Sequence, residues 1–244
     1  MSRLGTKLLF GTGIACILFL AGAALASPFA PAERSAGEGA RSSEETMKRH
    51  IVLLGASVGN AWNVGELPSR VGNDDYVFEY VGEYHFDKTA KLAEILARAR
   101  KPDAIILKEC AAYFPGDLAA YQRFIRDWVA RCRAPGVVPI LATTVPVVKS
   151  YPIRILFLEL LHGRFEYPAK AFPEIIAYND WIRSYAASEG LVVLDLEAAL
   201  RTSDRDRHLR GSYARRDGLH LNERAYRALD AIMIPTVSQV RFAR

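Results

Sequence analysis

The chain has 244 residues, 50% of them hydrophobic and 24% charged, with a formal net charge of +5. That composition is globular, and no repeat with a period of about 20–50 residues is visible. The charge is too mild to argue for a nucleic-acid partner, and no block of like charge forms a polybasic arm.

The first 26 residues read as a targeting segment. Arg3 and Lys7 precede an uncharged apolar run from Leu8 to Leu25, and Ala24-Leu25-Ala26 is a small-x-small cleavage site. The same run approaches the roughly 20 residues that span a bilayer, so a membrane anchor through residues 8–25 is the second reading. Lipidation at Cys16 is a third, opposed by the apolar run continuing past it. Each places the domain outside the cytoplasm, either periplasmic or secreted. Residues 1–26 hold two of the cations and no acid, which leaves the remainder at +3. Residues 27–48 are rich in Pro, Ala, Ser, Gly and Glu without apolar periodicity, as a flexible linker is. A single domain over 49–244 follows, about 200 residues and enough for a real core.

Its texture alternates. "IVLLGAS" is a continuous apolar run, as a buried parallel strand is, and "DYVFEYVG" is a second strand. "DKTAKLAEILARARK" places Leu92, Ile95, Leu96 and Ala99 at helical spacing. "PDAIILKE" is a third strand, and "DLAAYQRFIRDWVARCR" a helix with Phe124, Trp128 and Val129 on one side. "GVVPILATTVPV" is a fourth strand, "EIIAYNDWIRSYAASEG" a helix, "LVVLDL" a fifth strand, and a last helix starts near Asn222. This alternation predicts an α/β fold, a parallel sheet with helices on both faces. Sites in such sheets form beyond the C-terminal strand ends, which here include Ser57, Lys108 to Tyr113, Thr143 to Pro146 and Asp195.

Two short motifs stand out. Ser57 ends the first strand between Gly55 and Gly59, where it is either a nucleophile presented by a tight turn or the N-cap of a helix. Near the other end, "DGLHLNERAYRAL" puts Asp217 and His220 three apart before the last helix, where the alternative is a simple Asp-Gly turn. A serine hydroxyl needs a base, histidine suits that task, and a carboxylate fixes the tautomer of the histidine. Cys110 and Cys132 either bridge or stay as free thiols. His50 and His208 read as solvated, and His85 follows Gly82, where it can line the cleft. No His/Cys/Asp cluster has metal-ligand spacing, and no Gly-rich phosphate loop appears. Residues 149–171, which include His162, are apolar and aromatic. They read as an extra helix packed on the domain, as a lid or acyl-binding wall, or as a face that touches lipid.

Over most of residues 50–233 the chain resembles the SGNH, or GDSL-type, hydrolases. "IVLLGASVGNAW" resembles the first block, in which a Gly-x-Ser carries the nucleophile, and "DGLHLNERAYRAL" is similar to the final block. "KPDAIIL", "VVPILATTVPV" and "AYNDWIRSYAASEGLVVLDL" resemble the connecting elements. The resemblance implies a flavodoxin-like three-layer α/β/α sandwich with a five-stranded parallel sheet. It also implies an esterase working through an acyl-serine, with Ser57 as nucleophile, His220 as base, Asp217 orienting it, and no metal or organic cofactor. The partner implied is a small-molecule or glycan ester. Acyl transfer to or from a cell-surface polysaccharide, and carbohydrate binding without catalysis, are the alternatives. Oligomeric state has no signal in the sequence.

Two departures from the family pattern matter. Ala56 stands where aspartate often precedes the serine. The family's oxyanion hole uses the serine amide, a glycine amide after the second strand and an asparagine side chain after the third. Gly82 fits the glycine, but ungapped counting puts Ala112 at the asparagine and Cys110 at the glycine before it. Tyr113 and Lys108 are the first substitutes as third donor, and Cys110, Asn60 and Asn63 stand behind them. Glu109 would repel an oxyanion unless protonated or paired with Lys108.

Overall fold

The computed structural model describes residues 48–151, 153–161, 163, 167–215 and 220–242. The leader, residues 27–47 of the linker, His162 and Asp217 lie outside the described residues. The elements run β1 (Arg49–Gly55), α1 (Val58–Trp62), α2 (Leu67–Val71), β2 (Tyr76–Gly82), α3 (Thr89–Leu96) and β3 (Ala104–Leu107). They continue through α4 (Leu118–Arg133), β4 (Val138–Ala142), α5 (Ile153–Leu161), α6 (Tyr167–Glu189), β5 (Val193–Leu194), α7 (Leu196–Leu200) and α8 (Glu223–Val237).

All five strands are parallel in the order β2-β1-β3-β4-β5. This is the flavodoxin-like doubly wound order, whose switch point lies between β1 and β3. The strands that read as unbroken apolar runs are buried on both faces, since successive side chains point to opposite sides. Ile51 and Leu53 enter one core with Trp62, Leu229 and Met233, while Val52 and Leu54 enter the other with Ile95, Trp128 and Ile175. Each such aliphatic side chain contributes about 1.5–3 kcal/mol by leaving water. The result is three layers: α1, α2, α7 and α8 pack on one face, and α3, α4 and α6 on the other.

Differences from the sequence reading are local. On α4 the buried face is Ile125, Trp128, Val129 and Cys132, with Phe124 half-buried at its margin. Helix α3 stops at Leu96, and Ala99 is exposed beyond it. Helix α6 starts seven residues before "EIIAYND", at Tyr167, and carries Pro173 within it. Helix α8 begins where its cap predicts: the Asn222 side chain accepts from the Ala225 amide at 3.2 Å. The strand pairing β4–β5 is short, Leu141 with Val193 and Ala142 with Leu194.

Candidate active site

Ser57 sits one residue beyond buried Ala56, at the C-terminal end of interior strand β1 and the first turn of α1. It is the N-cap residue of α1 by position, but its side chain makes no capping hydrogen bond. The flanking glycines serve close approach. A Cβ at Gly55 would lie 3.0 Å from the Lys108 carbonyl, and one at Gly59 would lie 2.7 Å from the Tyr80 ring. Neither has a positive φ, so close contact rather than a left-handed turn requires them. The Tyr80 phenol donates to the Gly55 carbonyl at 3.0 Å, and burial raises its pKa, which keeps it a neutral donor.

The β3 end supplies the facing wall. Cys110 is half-buried, with Sγ 3.8 Å from Ser57 Oγ. Lys108 is buried and donates to the Glu109 carbonyl at 2.9 Å; burial lowers its pKa. Glu109 is also buried and pairs with Lys88 at 2.5 Å. Burial pushes its carboxyl up to about 7, against the pull of Lys88. The cation facing Glu109 is therefore Lys88, from the β2–α3 connection, while Lys108 reaches only its backbone. Lys88 also donates to the carbonyls of His85 and Phe86 and lies within 5.1–5.7 Å of the rings of Phe86, Tyr113 and Trp128. Tyr113 packs edge-on against Phe86, and its hydroxyl is buried without a hydrogen-bond partner, as is Glu109 Oε1. Its pKa is raised, first by burial and then by Glu109.

Gly82 lies in register with Gly55 at the end of β2 and is exposed. The next amide, Glu83 N–H, closes the ladder onto the Gly55 carbonyl at 3.0 Å. Asn60 and Asn63 are both exposed, the latter in the left-handed region at φ 51°.

His220 is exposed just before α8, in a short antiparallel clasp. Its carbonyl accepts from the Arg215 amide at 2.7 Å, and Ala214 bridges Leu221. Asn222 ties the clasp by donating to the carbonyls of Ser212 and Ala214. Helix α8 is in turn locked to the Ser57 side. Asp230 accepts from Trp62 Nε1 at 2.7 Å and from Arg70 through both oxygens at 2.8 Å. The Ser57 helix and the helix behind His220 thus share one buried anchor, 168 residues apart in sequence.

Sequence reasoning missed a second network at the ends of β4 and β5. Buried Glu197 accepts from Asn179, Arg183 and Arg207 at 2.5–2.9 Å, and Asn179 also bonds both backbone groups of Thr144. Thr143 and Asp195, at the predicted sheet edge, join through a 3.1 Å hydrogen bond, and Asp195 caps α7. A hollow of about 300 Å³ opens beside the clasp, lined by Lys149, Leu209, Ala214 and Arg215 among others.

The remaining candidates resolve differently. Cys110 and Cys132 are free thiols, so no bridge links them, and burial pushes Cys132 up to about 12. His50 and His208 are half-buried rather than solvated. His50 meets Glu79 at 3.0 Å, and His208 meets Asp206 at 2.7 Å while stacking on Phe172 at 3.7 Å. His85 is exposed. Among the described residues no group of three His, Cys, Asp or Glu side chains could hold a metal ion.

No protein-family model matches the chain, and no curated protein matches it in sequence. Solved structures do match. A GDSL-like lipase from Bacteroides thetaiotaomicron superposes with a TM-score of 0.59 at 15% identity, covering 82% of this chain and 92% of that one. An acetyl xylan esterase, AlAXEase, gives 0.56 at 16% identity, over 77% and 99% of the two chains. A second acetyl xylan esterase, from Geobacillus stearothermophilus, gives 0.53 at 12% identity, over 82% and 100%. The fold is that of the SGNH, or GDSL-like, hydrolases.

Proposed function

We propose that this chain is an exported serine esterase that cleaves a carboxylic ester through an acyl-serine intermediate. The observation that carries the reading is the placement of Ser57. It is half-buried at the C-terminal end of interior strand β1, its hydroxyl is not engaged in capping, and the neighbouring loop comes within 3.8 Å. The lipase and esterase names of structures sharing the fold support ester hydrolysis. Export rests on the leader read from the sequence.

In this reading Ser57 Oγ attacks the ester carbonyl carbon, and its proton passes to His220, oriented by Asp217. The tetrahedral intermediate collapses, and the leaving alkoxide takes that proton from His220 to depart as the alcohol. Water, activated by His220, then attacks the acyl-serine and releases the acid and free Ser57. The Ser57 and Gly82 amides stabilise the oxyanion, and Tyr113 is the third donor. What supports Tyr113 is its place in the loop whose Cys110 Sγ lies 3.8 Å from Ser57 Oγ, together with a neutral hydroxyl that has no hydrogen-bond partner among the described residues. A buried orphan polar group costs about 1–3 kcal/mol and calls for an explanation. A bound oxyanion is one.

Ser57→Ala should lower kcat on a short-chain chromogenic ester by about 10³-fold or more, and His220→Ala by a similar factor. Unchanged turnover in the serine variant would refute the nucleophile. Tyr113→Phe should lower kcat about 10²–10³-fold while leaving KM near its original value. The folded protein should lose no thermal stability, since the hydroxyl removed has no partner. An unchanged kcat would return the role to Lys108, Cys110 or Asn60.

A further inference from the structure

Helix α5 turns its apolar side outward. Ile153, Leu156, Phe157, Leu160 and Leu161 are 86%, 41%, 64%, 54% and 67% exposed. Their spacing, i, i+3, i+4, i+7 and i+8, is the stripe by which a helix normally faces a core. Among the described residues these five make up most of the large exposed hydrophobics, the others being Val71, Val77 and Tyr84. The stripe therefore lies on one short element and is not scattered.

The surface that leads into its N-terminus is basic. Exposed Lys149 lies four residues before the helix. Two shallow hollows of about 300 and 390 Å³ share Lys149 and extend to Arg215 and Arg205. Asp206 is the one acid lining either hollow, and it is engaged by His208. Arg207, also in the lining, is held by Glu197 and Asp180. An apolar helical stripe beside exposed cations suits the headgroup boundary of an anionic bilayer, with Leu and Phe below the headgroups and Lys and Arg at their level.

Two alternatives fit less well. Among the described residues no helix is long and apolar enough to cross a membrane, and α5 has nine residues. A nine-residue helix is about 13 Å long. Its stripe therefore offers a few hundred Å², against about 800 Å² per partner in a stable interface. A two-fold dimer through this face would also bring the same cations together.

We propose that α5 is a membrane-docking helix that lies in the surface of an anionic bilayer. Because α5 follows the C-terminal end of β4, docking holds toward the lipid the same sheet edge at which β1 delivers Ser57. The proposal does not depend on Ser57 being a nucleophile, and its test reads binding alone.

Phe157→Trp in the full chain places a reporter on the stripe, and the unsubstituted chain supplies the background from Trp62, Trp128 and Trp181. Mixed with vesicles about one-third phosphatidylglycerol in phosphatidylcholine, the reporter should shift to the blue and be quenched by brominated acyl chains. Pure phosphatidylcholine, or about 0.5 M salt, should weaken the effect. Adding Leu156→Ser and Leu160→Ser should reduce vesicle affinity at least about fivefold. The leader is the same in all these chains, so the difference belongs to α5. Absence of both the shift and the quenching would overturn the proposal. A lipid-independent shift that grows with protein concentration would also overturn it, assigning the stripe to a second copy of the chain.

Discussion

Glu109 and Glu197 are both fully buried near the C-terminal ends of strands, yet their pKa values shift in opposite directions. Glu197 is met by three arginines, Arg183, Arg201 and Arg207, and by an amide, and its carboxyl titrates below the ordinary range although desolvation alone would raise it. Glu109 has one ammonium partner and an unpartnered Oε1, and it is pushed up to about 7. Both lose hydration, and the number of donors that replace it decides the sign. The well-satisfied carboxylate holds β4, α6 and α7 together, although Thr144 Oγ1 beside it is buried without a hydrogen-bond partner. The poorly satisfied one lies in the loop that faces Ser57, where Tyr113 also keeps an orphan hydroxyl. Local under-satisfaction is expected where a fold keeps groups for something other than its own stability.

The pH dependence of the two should therefore run in opposite directions. Because the folded pKa of Glu109 is raised from 4.5 to about 7, the folded state holds a proton that the unfolded chain releases. The stability it contributes is fully present below the unfolded pKa and is lost as pH rises through the folded value. Glu197 has a lowered folded pKa, so its contribution is present above the ordinary carboxylate pKa and is lost as pH falls through the folded value.

Breaking the Glu109 pair gives the larger effect. Lys88→Met should cost about 3–5 kcal/mol in urea unfolding near pH 8, because a buried carboxylate then loses its counter-charge. Near pH 5 the carboxyl is protonated and the cost should shrink to about 1–2 kcal/mol, reflecting the lost hydrogen bonds to the carbonyls of His85 and Phe86. Lys88→Met with Glu109→Leu should recover most of the loss. Equal costs at both pH values would mean that Glu109 is ionised throughout and that its contrast with Glu197 is false.

Glu197→Gln gives a smaller effect. The amide keeps the shape and an acceptor, and Arg183 and Arg207 retain Asp195 and Asp180 as partners. A loss of about 1.5–3 kcal/mol is expected at neutral pH, the range for hydrogen bonds to charged groups. It should narrow as pH falls, since the unsubstituted protein then loses its own advantage. A loss that widens in acid would contradict the lowered pKa.

Much of the fold is legible along the chain because its causes are local. A strand buried on both faces must be apolar throughout, and "IVLLGAS" and "PDAIILK" are. Ser57 and Asn222 are legible as element boundaries, although only Asn222 proved to cap through its side chain. The buried groups around the site are another matter. Lys88 and Glu109 stand 21 residues apart on different connections, and as sequence each is an ordinary surface charge. Trp62 and Asp230 are 168 apart, and no periodicity links them. Helix α5 shows the same limit from the other side. Its apolar spacing predicts a helix, but the identical pattern describes one facing the core and one facing out.

The sequence by itself determined the order of strands and helices, the parallel sheet and the serine at its edge, because backbone propensity and the hydrophobic period act over a few residues. Tertiary structure alone decided which charges are buried, which partners they meet, that the two cysteines stay apart, and that the α5 stripe faces solvent. Those outcomes depend on the desolvation and distance between groups brought together by the doubly wound topology, and neither quantity exists until the sheet has formed.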